Sequence, residues 1–179
     1  MKDVLVNDVM IPIAKYVTVN KADHLVQVLQ AIERKRQTEG GHAHRDAIVV
    51  DEHGQFVGKV TMIDIFRALE PNYKKVDQAR VGGTLTTTFV REAVKNFKLW
   101  MEPVENICQR GDNMAVADLM HVPERTEFLK EDDNLEKALN YFVMGVHQPL
   151  IVKNGEAVTG ILRFGDVFEI VRKRLLAAC

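Results

Sequence analysis

Histidines and cysteines are the side chains of this sequence whose types most readily do chemistry. His42, His44 and His53 lie close together in sequence, and imidazoles at such spacing could ligate zinc, although no cysteine lies beside them. Cys108 and Cys179 are too few for a disulfide framework. The sequence has no apparent nucleophile with a neighbouring base and no GxxxxGK[ST] phosphate loop. We therefore predict a protein that is not an enzyme, with no metal site and no required cofactor.

A second motif combines a hydroxyl and a carboxylate, in Thr61-x-x-Asp64. Such a pair at a helix start forms a capping box, so it can be purely structural. A similarly placed carboxylate recurs as Asp166, but the residue three positions before it is Arg163. An acid in the first turn of a helix is also favoured by the helix dipole. The residues alone leave both a cap and a ligand site open.

The Thr61-x-x-Asp64 motif and its counterpart at Arg163 and Asp166 belong to an internal repeat, which is the feature that organises the chain. The segment VNDVM, which ends at Met10, matches VADLM, which ends at Met120. Further along, residues 47–66 match residues 149–168 at an offset shorter by eight residues. The difference indicates one insertion in the first copy, within the polar segment 34–45. This segment is predicted to be a surface loop.

Each copy has the same predicted order of elements, which is helix, strand, strand, helix. Apolar residues at three- and four-residue spacing predict amphipathic helices that begin near Leu25 and Leu135. A β-branched run, a turn (EHGQ or NGEA) and a second apolar run then predict a hairpin. A final helix is predicted to begin near Ile63 in the first copy and near Gly165 in the second.

The two copies are expected to pack together as one intertwined α+β unit about a pseudo-twofold axis. A copy of about 60 residues buries too small a core to be more than marginally stable alone. The predicted division is a first repeat at residues 1–69, a helical intervening segment at 70–115 and a second repeat at 116–179. Apolar residues of the intervening segment fall on one predicted helical stripe: Val90, Val94, Phe97, Trp100 and Met101. This stripe either packs on the repeats or forms a dimer or partner surface.

Charge and hydropathy argue against two classes of partner. The net charge is −1, so no basic field would attract nucleic acid or an anionic membrane. No apolar run approaches the 18 residues that a transmembrane helix needs, and the first ten residues do not read as a secretory signal. With two cysteines, the expected location is the reducing cytoplasm.

The doubled signature Gly-x-hydrophobic-Thr-x-x-Asp, at residues 58–64 and 160–166, together with the Asp-x-Met openings, resembles a tandem cystathionine-β-synthase (CBS) domain pair. This family is also called the Bateman module. The resemblance implies a regulatory module that binds AMP, ADP, ATP or S-adenosylmethionine in clefts between the copies. It also implies dimerisation through helices and a shape change that acts on another protein. No catalytic or membrane domain is recognised in the chain, so the effector is expected to be an unidentified separate polypeptide.

The resemblance assigns roles to individual residues. Asp64 and Asp166 match the ribose-binding position, where a fixed carboxylate can accept hydrogen bonds from both ribose hydroxyls. Thr61 matches the hydroxyl beside the phosphates. Arg163 departs from this pattern, and it could grip phosphate, point to solvent or fill the cleft. The site around Asp64 is therefore favoured over the site around Asp166.

Further positions are implied for the phosphates and the adenine. Arg45 and His147 precede their strands by equal distances and could approach phosphates, although solvated side chains are the alternative. The segments in which the family builds its adenine slot contain four candidates: Met10, Ile11, Met120 and Val122. Core packing alone is the alternative for the two methionines.

The final helix of each copy carries large apolar side chains, some of which should remain outside the core: Phe66, Leu69, Phe168, Val171 and Leu175. Because twofold dimers are the commonest oligomers, we predict a homodimer. The alternative function is a structural interaction module whose clefts stay empty.

Overall fold

The computed structural model describes residues 3–39, 45–79 and 86–178. The first part contains β1 (Ile11–Pro12), β2 (Thr18–Asn20), α1 (Leu25–Glu39), β3 (Ala47–Val50), β4 (Phe56–Val60) and α2 (Met62–Leu69). The intervening part contains α3 (Tyr73–Ala79), α4 (Thr87–Asn96) and α5 (Val104–Asp112). The last part contains α6 (Val116–Leu119), β5 (Phe128–Lys130), α7 (Leu135–Val143), β6 (Leu150–Asn154), β7 (Ala157–Leu162) and α8 (Phe164–Ala178). The α+β prediction and the repeated helix–strand–strand–helix order are confirmed.

Each repeat forms a small sheet around its predicted hairpin. One sheet has the order β2-β3-β4 and the other β1-β7-β6-β5. Gly54 (φ 74°) and Gly155 (φ 60°) occupy the hairpin turns in the left-handed region, where glycine has no Cβ to clash. The sequence did not predict β2 and β5, which run parallel to β3 and β6 and are only three residues long.

The first residues of each repeat, which we call its opening (residues 6–10 and 116–120), pack against the other half of the molecule. The backbone N–H of Val6 donates to the carbonyl of Asp133 (2.9 Å), and that of Val116 donates to the carbonyl of Asp23 (2.8 Å). Val6 is buried in the core of the second half, and Val116 is buried in the core of the first. Each core is thus completed by the other repeat, and the expected intertwined unit with a pseudo-twofold relation is observed.

A third core lies between the two halves and contains Tyr16, Ile48, Ile151 and Ile161. Side chains alternate along a strand, so Val49 faces the helices of its own half while Ile48 faces this shared core. Both faces of the central strands are therefore buried.

The two signature glycines lie where the opening of the opposite repeat crosses a strand. A Cβ at Gly58 would lie 2.9 Å from the carbonyl oxygen of His121 and 3.1 Å from Sδ of Met120. A Cβ at Gly160 would lie 2.4 Å from Sδ of Met10. These contacts leave no room for a side chain, which explains glycine at both positions.

Gly58→Ala is therefore expected to lower the free energy of unfolding by about 1–3 kcal/mol, the usual effect of overpacking. The neighbouring oxygen belongs to backbone that pairs with Lys59, so it cannot move aside freely. Urea denaturation measures the change. Gly165→Ala is the matched control, because a Cβ at that position would meet no atom within 4 Å and φ is not positive there. Equal stability of Gly58→Ala and the wild type would contradict the close crossing.

Two details of the sequence analysis need correction. Helix α1 continues to Glu39, so much of the predicted surface loop is helical, and residues 40–44 lie outside the described part. Helix α4 ends at Asn96, so Phe97, Trp100 and Met101 do not continue it as predicted.

A tertiary contact explains why α4 ends early. Lys98 (φ 52°) and Trp100 (φ 58°) have left-handed backbone conformations that no helix contains. The backbone N–H of Trp100 donates to Oε2 of buried Glu70 at 2.6 Å, and its indole N–H donates to the hydroxyl of Tyr73 at 3.0 Å. These bonds hold the chain in the turn.

Of the two predicted alternatives for the apolar stripe, packing on the repeats is not seen for its α4 residues. Ala93 and Leu99 are buried, whereas Val90 and Val94 are about half exposed. The apolar stripe on α4 therefore remains largely uncovered. Within the described residues, no helix combines the length and the apolar character needed to cross a membrane.

Candidate functional site

A cleft of about 740 Å³ opens between the two repeats. It is lined by equivalent positions from both halves, with Thr61 matching Arg163 and Arg45 matching His147. Helices α2 and α8 both begin at its wall. Backbone N–H groups and the positive dipole end of a helix N-terminus favour anions. The cleft is thus built from matched positions of the two repeats, and its two helix N-termini are suited to phosphate.

Five of the ten predicted site residues line this cleft: Arg45, Thr61, His147, Arg163 and Asp166. The other five do not line it: Met10, Ile11, Asp64, Met120 and Val122. Met10 and Met120 pack against the two cores, as their structural alternative predicted. Ile11 pairs with Ile161 in the sheet, and Val122 is 64% exposed.

Thr61 and Asp64 form the capping box at the start of α2. The backbone N–H and the hydroxyl of Thr61 donate to Oδ2 of Asp64 at 2.9 and 2.6 Å. The other carboxylate oxygen, Oδ1, faces Nε2 of His147 at 3.6 Å. Burial opposes the ionisation of Asp64, but the nearby imidazole of His147 and the hydrogen bonds from Thr61 outweigh it and hold the pKa of this carboxyl below its usual value. The cap is therefore real, and it uses one oxygen of the carboxylate.

Arg163 pairs with Asp166 in the second repeat, where the first repeat has its cap. Nε of Arg163 donates to Oδ2 of Asp166 at 2.7 Å, and Nη2 donates to Oδ1 at 2.9 Å. This pairing raises the pKa of the Arg163 guanidinium. Both oxygens of Asp166 are thus engaged within the chain, unlike those of Asp64.

A buried ion pair joins the two repeats next to the cleft-lining residues His147 and Pro149. Lys59 is fully buried, and its Nζ lies 2.5 Å from Oε2 of Glu127. The same Nζ donates to the backbone carbonyls of His147 (2.8 Å) and Pro149 (2.7 Å). Burial lowers the pKa of Lys59 despite the opposing effect of Glu127. Burial also opposes the ionisation of Glu127, but its bonds to Lys59 and to the Glu124 backbone hold the pKa of this carboxyl below its usual value.

Two histidines of the second repeat stack above this ion pair. The rings of His121 and His147 are nearly parallel, with centroids 4.0 Å apart. Nε2 of His121 lies 2.7 Å from Oε1 of Glu127. Nδ1 of His147 is buried without a hydrogen-bond partner among the described residues. We call Asp64, His121 and His147 the inter-repeat cluster, since one ligand atom of each lies within 4.8 Å of the others.

Sequence reasoning missed both the ion pair and the inter-repeat cluster. A lysine between two buried strand residues, Gly58 and Val60, was an available signal for Lys59. Of the histidines proposed from sequence, His53 is exposed and lies 3.7 Å from Glu52. His42 and His44 fall outside the described residues.

Comparison with known proteins agrees with this architecture. Residues 6–71 match the family model of the CBS domain. CBSX2, solved in complex with AMP, is 19% identical with a TM-score of 0.60 over 95% of this chain and 97% of that chain. The fold is that of a tandem CBS-domain pair.

Two other CBS-domain structures have a similar fold. A CBS domain-containing protein from Bacillus anthracis str. Ames Ancestor is 19% identical, with a TM-score of 0.61 over 96% of this chain and 95% of that chain. The CBS domain of a bacterial CNNM/CorC family Mg²⁺ transporter, in complex with ATP, is 16% identical, with a TM-score of 0.55 over 94% and 87%. No curated protein sequence matches the chain.

Proposed function

We propose that this CBS-domain pair binds an adenosine nucleotide between its repeats and signals its occupancy to a partner protein. The cleft carries the proposal, because two helix N-termini meet there beside Arg45 and Arg163. Guanidinium groups and helix N-termini are suited to phosphate. The AMP and ATP complexes of two similar folds support the same ligand class.

The two carboxylates are not equivalent in this proposal. Asp64 adjoins the cleft through Thr61 and His147, which both line it, and its Oδ1 lies outside the cap. Asp166 would have to release an Arg163 hydrogen bond before a ribose hydroxyl could replace it. We therefore assign the ribose to Asp64 and the phosphate contact to Arg163.

Calorimetric titration with AMP, ADP, ATP and S-adenosylmethionine tests the proposal, with adenosine as the phosphate-free comparison. At least one nucleotide is expected to bind, and a hundredfold excess over its Kd should stabilise the fold by about 2.7 kcal/mol. Asp64→Asn keeps an acceptor for the Thr61 amide but weakens the ribose contact. Its affinity should fall about tenfold or more, as expected for losing a charged hydrogen bond.

Asp166→Asn is the matched control and should cost less affinity than Asp64→Asn. The reverse order would move the ribose to the second repeat. No binding and no shift in Tm with any of the four ligands would defeat the nucleotide proposal.

The second candidate function is an interaction module with an empty cleft. One observation favours it, because Thr61 engages Oδ2 of Asp64 and Arg163 engages both oxygens of Asp166 within the chain. This function predicts that Asp64→Asn changes stability only, with no ligand effect to lose. The same titrations therefore separate the two functions.

We also propose that the protein forms a homodimer through its final helices. Phe66 on α2 and Phe168 on α8 occupy equivalent positions and are 51% and 54% exposed. Leu175 and Leu176 extend the exposed apolar surface along α8. A twofold interface would cover these side chains on both subunits. Of the other residues predicted for this interface, Leu69 and Val171 are partly buried.

A further inference from the structure

The inter-repeat cluster brings together three side chains that ligate metals in proteins. Asp64 lies in the first turn of α2 in the first repeat, whereas His121 and His147 lie in the second repeat, just after α6 and just before β6. One ligand atom of each lies within 4.8 Å of the others, and Oδ1 of Asp64 is 3.6 Å from Nε2 of His147. We propose that Asp64, His121 and His147 bind a divalent transition-metal ion, for which zinc is the best fit, at the junction of the repeats.

Binding requires the ligand atoms to close around the ion and the two stacked rings to turn, because lone pairs in nearly parallel ring planes do not converge on one point. Zinc binds imidazole nitrogen and carboxylate oxygen at about 2.0–2.2 Å, so tetrahedral ligand atoms lie about 3.3 Å apart. The His121 and His147 side chains are each 26% exposed, so solvent leaves room for their rings to turn. Water would occupy the fourth position, as in zinc sites with three protein ligands.

Glu127 supplies the support that metal-binding histidines usually have. A ligating histidine commonly donates its other ring N–H to a carboxylate, which fixes its tautomer and orientation. Oε1 of Glu127 accepts from Nε2 of His121 at 2.7 Å when that nitrogen is protonated, and Nδ1 then carries the lone pair. Nδ1 of His147 makes no hydrogen bond within the described residues, but it faces Oε2 of Glu127 at 3.8 Å. With the proton on Nδ1, towards that carboxylate, Nε2 carries the lone pair and faces Oδ1 of Asp64.

The local charge also suits a cation. Asp64 and Glu127 contribute two negative charges, and the buried Lys59 contributes one positive charge. With neutral imidazoles the group therefore has a net charge of −1 before the ion binds. Two imidazoles with one carboxylate favour zinc and similar metals, whereas Mg²⁺ prefers oxygen ligands alone.

Titration of the chelator-treated full chain with zinc tests this site. We expect one zinc per chain and a rise in Tm, with no comparable effect of Mg²⁺. His121→Ala and His147→Ala should each lower zinc affinity at least about tenfold. Loss of a residue that only hydrogen-bonds a metal ligand already costs about tenfold, so loss of a ligand should cost at least as much. His147→Ala keeps the backbone carbonyl that accepts a hydrogen bond from Lys59, so this variant should retain the buried ion pair. It therefore tests the site even if His121→Ala fails to fold.

His53→Ala is the control, because His53 is an exposed histidine between β3 and β4 that is not part of the cluster. It should bind zinc like the wild type. The proposal is overturned if the wild type fails to bind zinc, if both cluster variants retain its affinity, or if only His53→Ala loses it. All titrations omit nucleotide, because Asp64 is also our ribose candidate. Failure of the metal site then leaves the nucleotide proposal standing, and the reverse also holds.

Discussion

Replacing Glu127 with alanine is expected to lower the free energy of unfolding by about 3–5 kcal/mol, the usual cost of breaking a buried ion pair. The ammonium of Lys59 is fully buried, and its remaining partners among the described residues would be the backbone carbonyls of His147 and Pro149. A domain of this size is stable by only about 5–15 kcal/mol, so the loss is large. Urea denaturation followed by circular dichroism measures it.

Two further variants separate charge burial from general damage. Glu52→Ala removes an exposed carboxylate and should stay within about 0.5 kcal/mol of the wild type. The double variant Lys59→Met/Glu127→Gln removes the unpaired charge and keeps an acceptor for His121. It is expected to be more stable than Glu127→Ala alone. If Glu127→Ala costs no more than Glu52→Ala, the ion pair does not hold the two repeats together.

Replacing Phe66 and Phe168 together with lysine is expected to halve the mass of the protein in solution. Light scattering should give about 40 kDa for the wild type, twice the 20.3 kDa of the chain, and the chain mass for the variant. Two lysines at equivalent positions would place charges in the centre of the proposed interface, where desolvation is costly. Circular dichroism checks that the variant keeps its fold.

Val94→Lys is the matched control for the dimer. Val94 on α4 is 51% exposed, close to the 54% of Phe168, but it belongs to the intervening segment. This variant should remain a dimer. Dissociation by Val94→Lys alone would move the interface to α4, and a wild-type mass of 20.3 kDa would rule out the dimer.

The fold could be predicted from the sequence because its elements occur twice in the same order. Contacts between residues distant in sequence could not be predicted. The hairpins are local, because a glycine turn lies between two apolar runs, and finding them twice in the same order strengthened the prediction. The end of α4 depends on Trp100 meeting Glu70, which lies 30 residues earlier. The spacing of apolar residues in the segment does not indicate that bond, so the predicted helix extended beyond the observed end of α4.

In the candidate site, too, some residues were predicted from the sequence and some contacts were not. Thr61 was expected near phosphates from the family resemblance, and Arg45 and His147 from their equal distances before the strands. All three line one cleft. The pairing of Lys59 with Glu127 could not be predicted in this way, because lysine is usually exposed and the two residues belong to different repeats. Nor could sequence show that Met10 and Met120 pack against glycines instead of lining the cleft.

The exchanged openings bear on how such a chain could arise. A single repeat would have a core that lacks the residue supplied here by Val6 or Val116, and only a second copy could provide it. Two identical single-repeat chains could satisfy each other in this way as a symmetric pair. Joining them in tandem would make the same contacts intramolecular, at an effective concentration in the millimolar range for a short flexible linker. Once joined, the copies would be free to diverge, and a difference such as Thr61 against Arg163 could give two initially equivalent half-sites separate tasks.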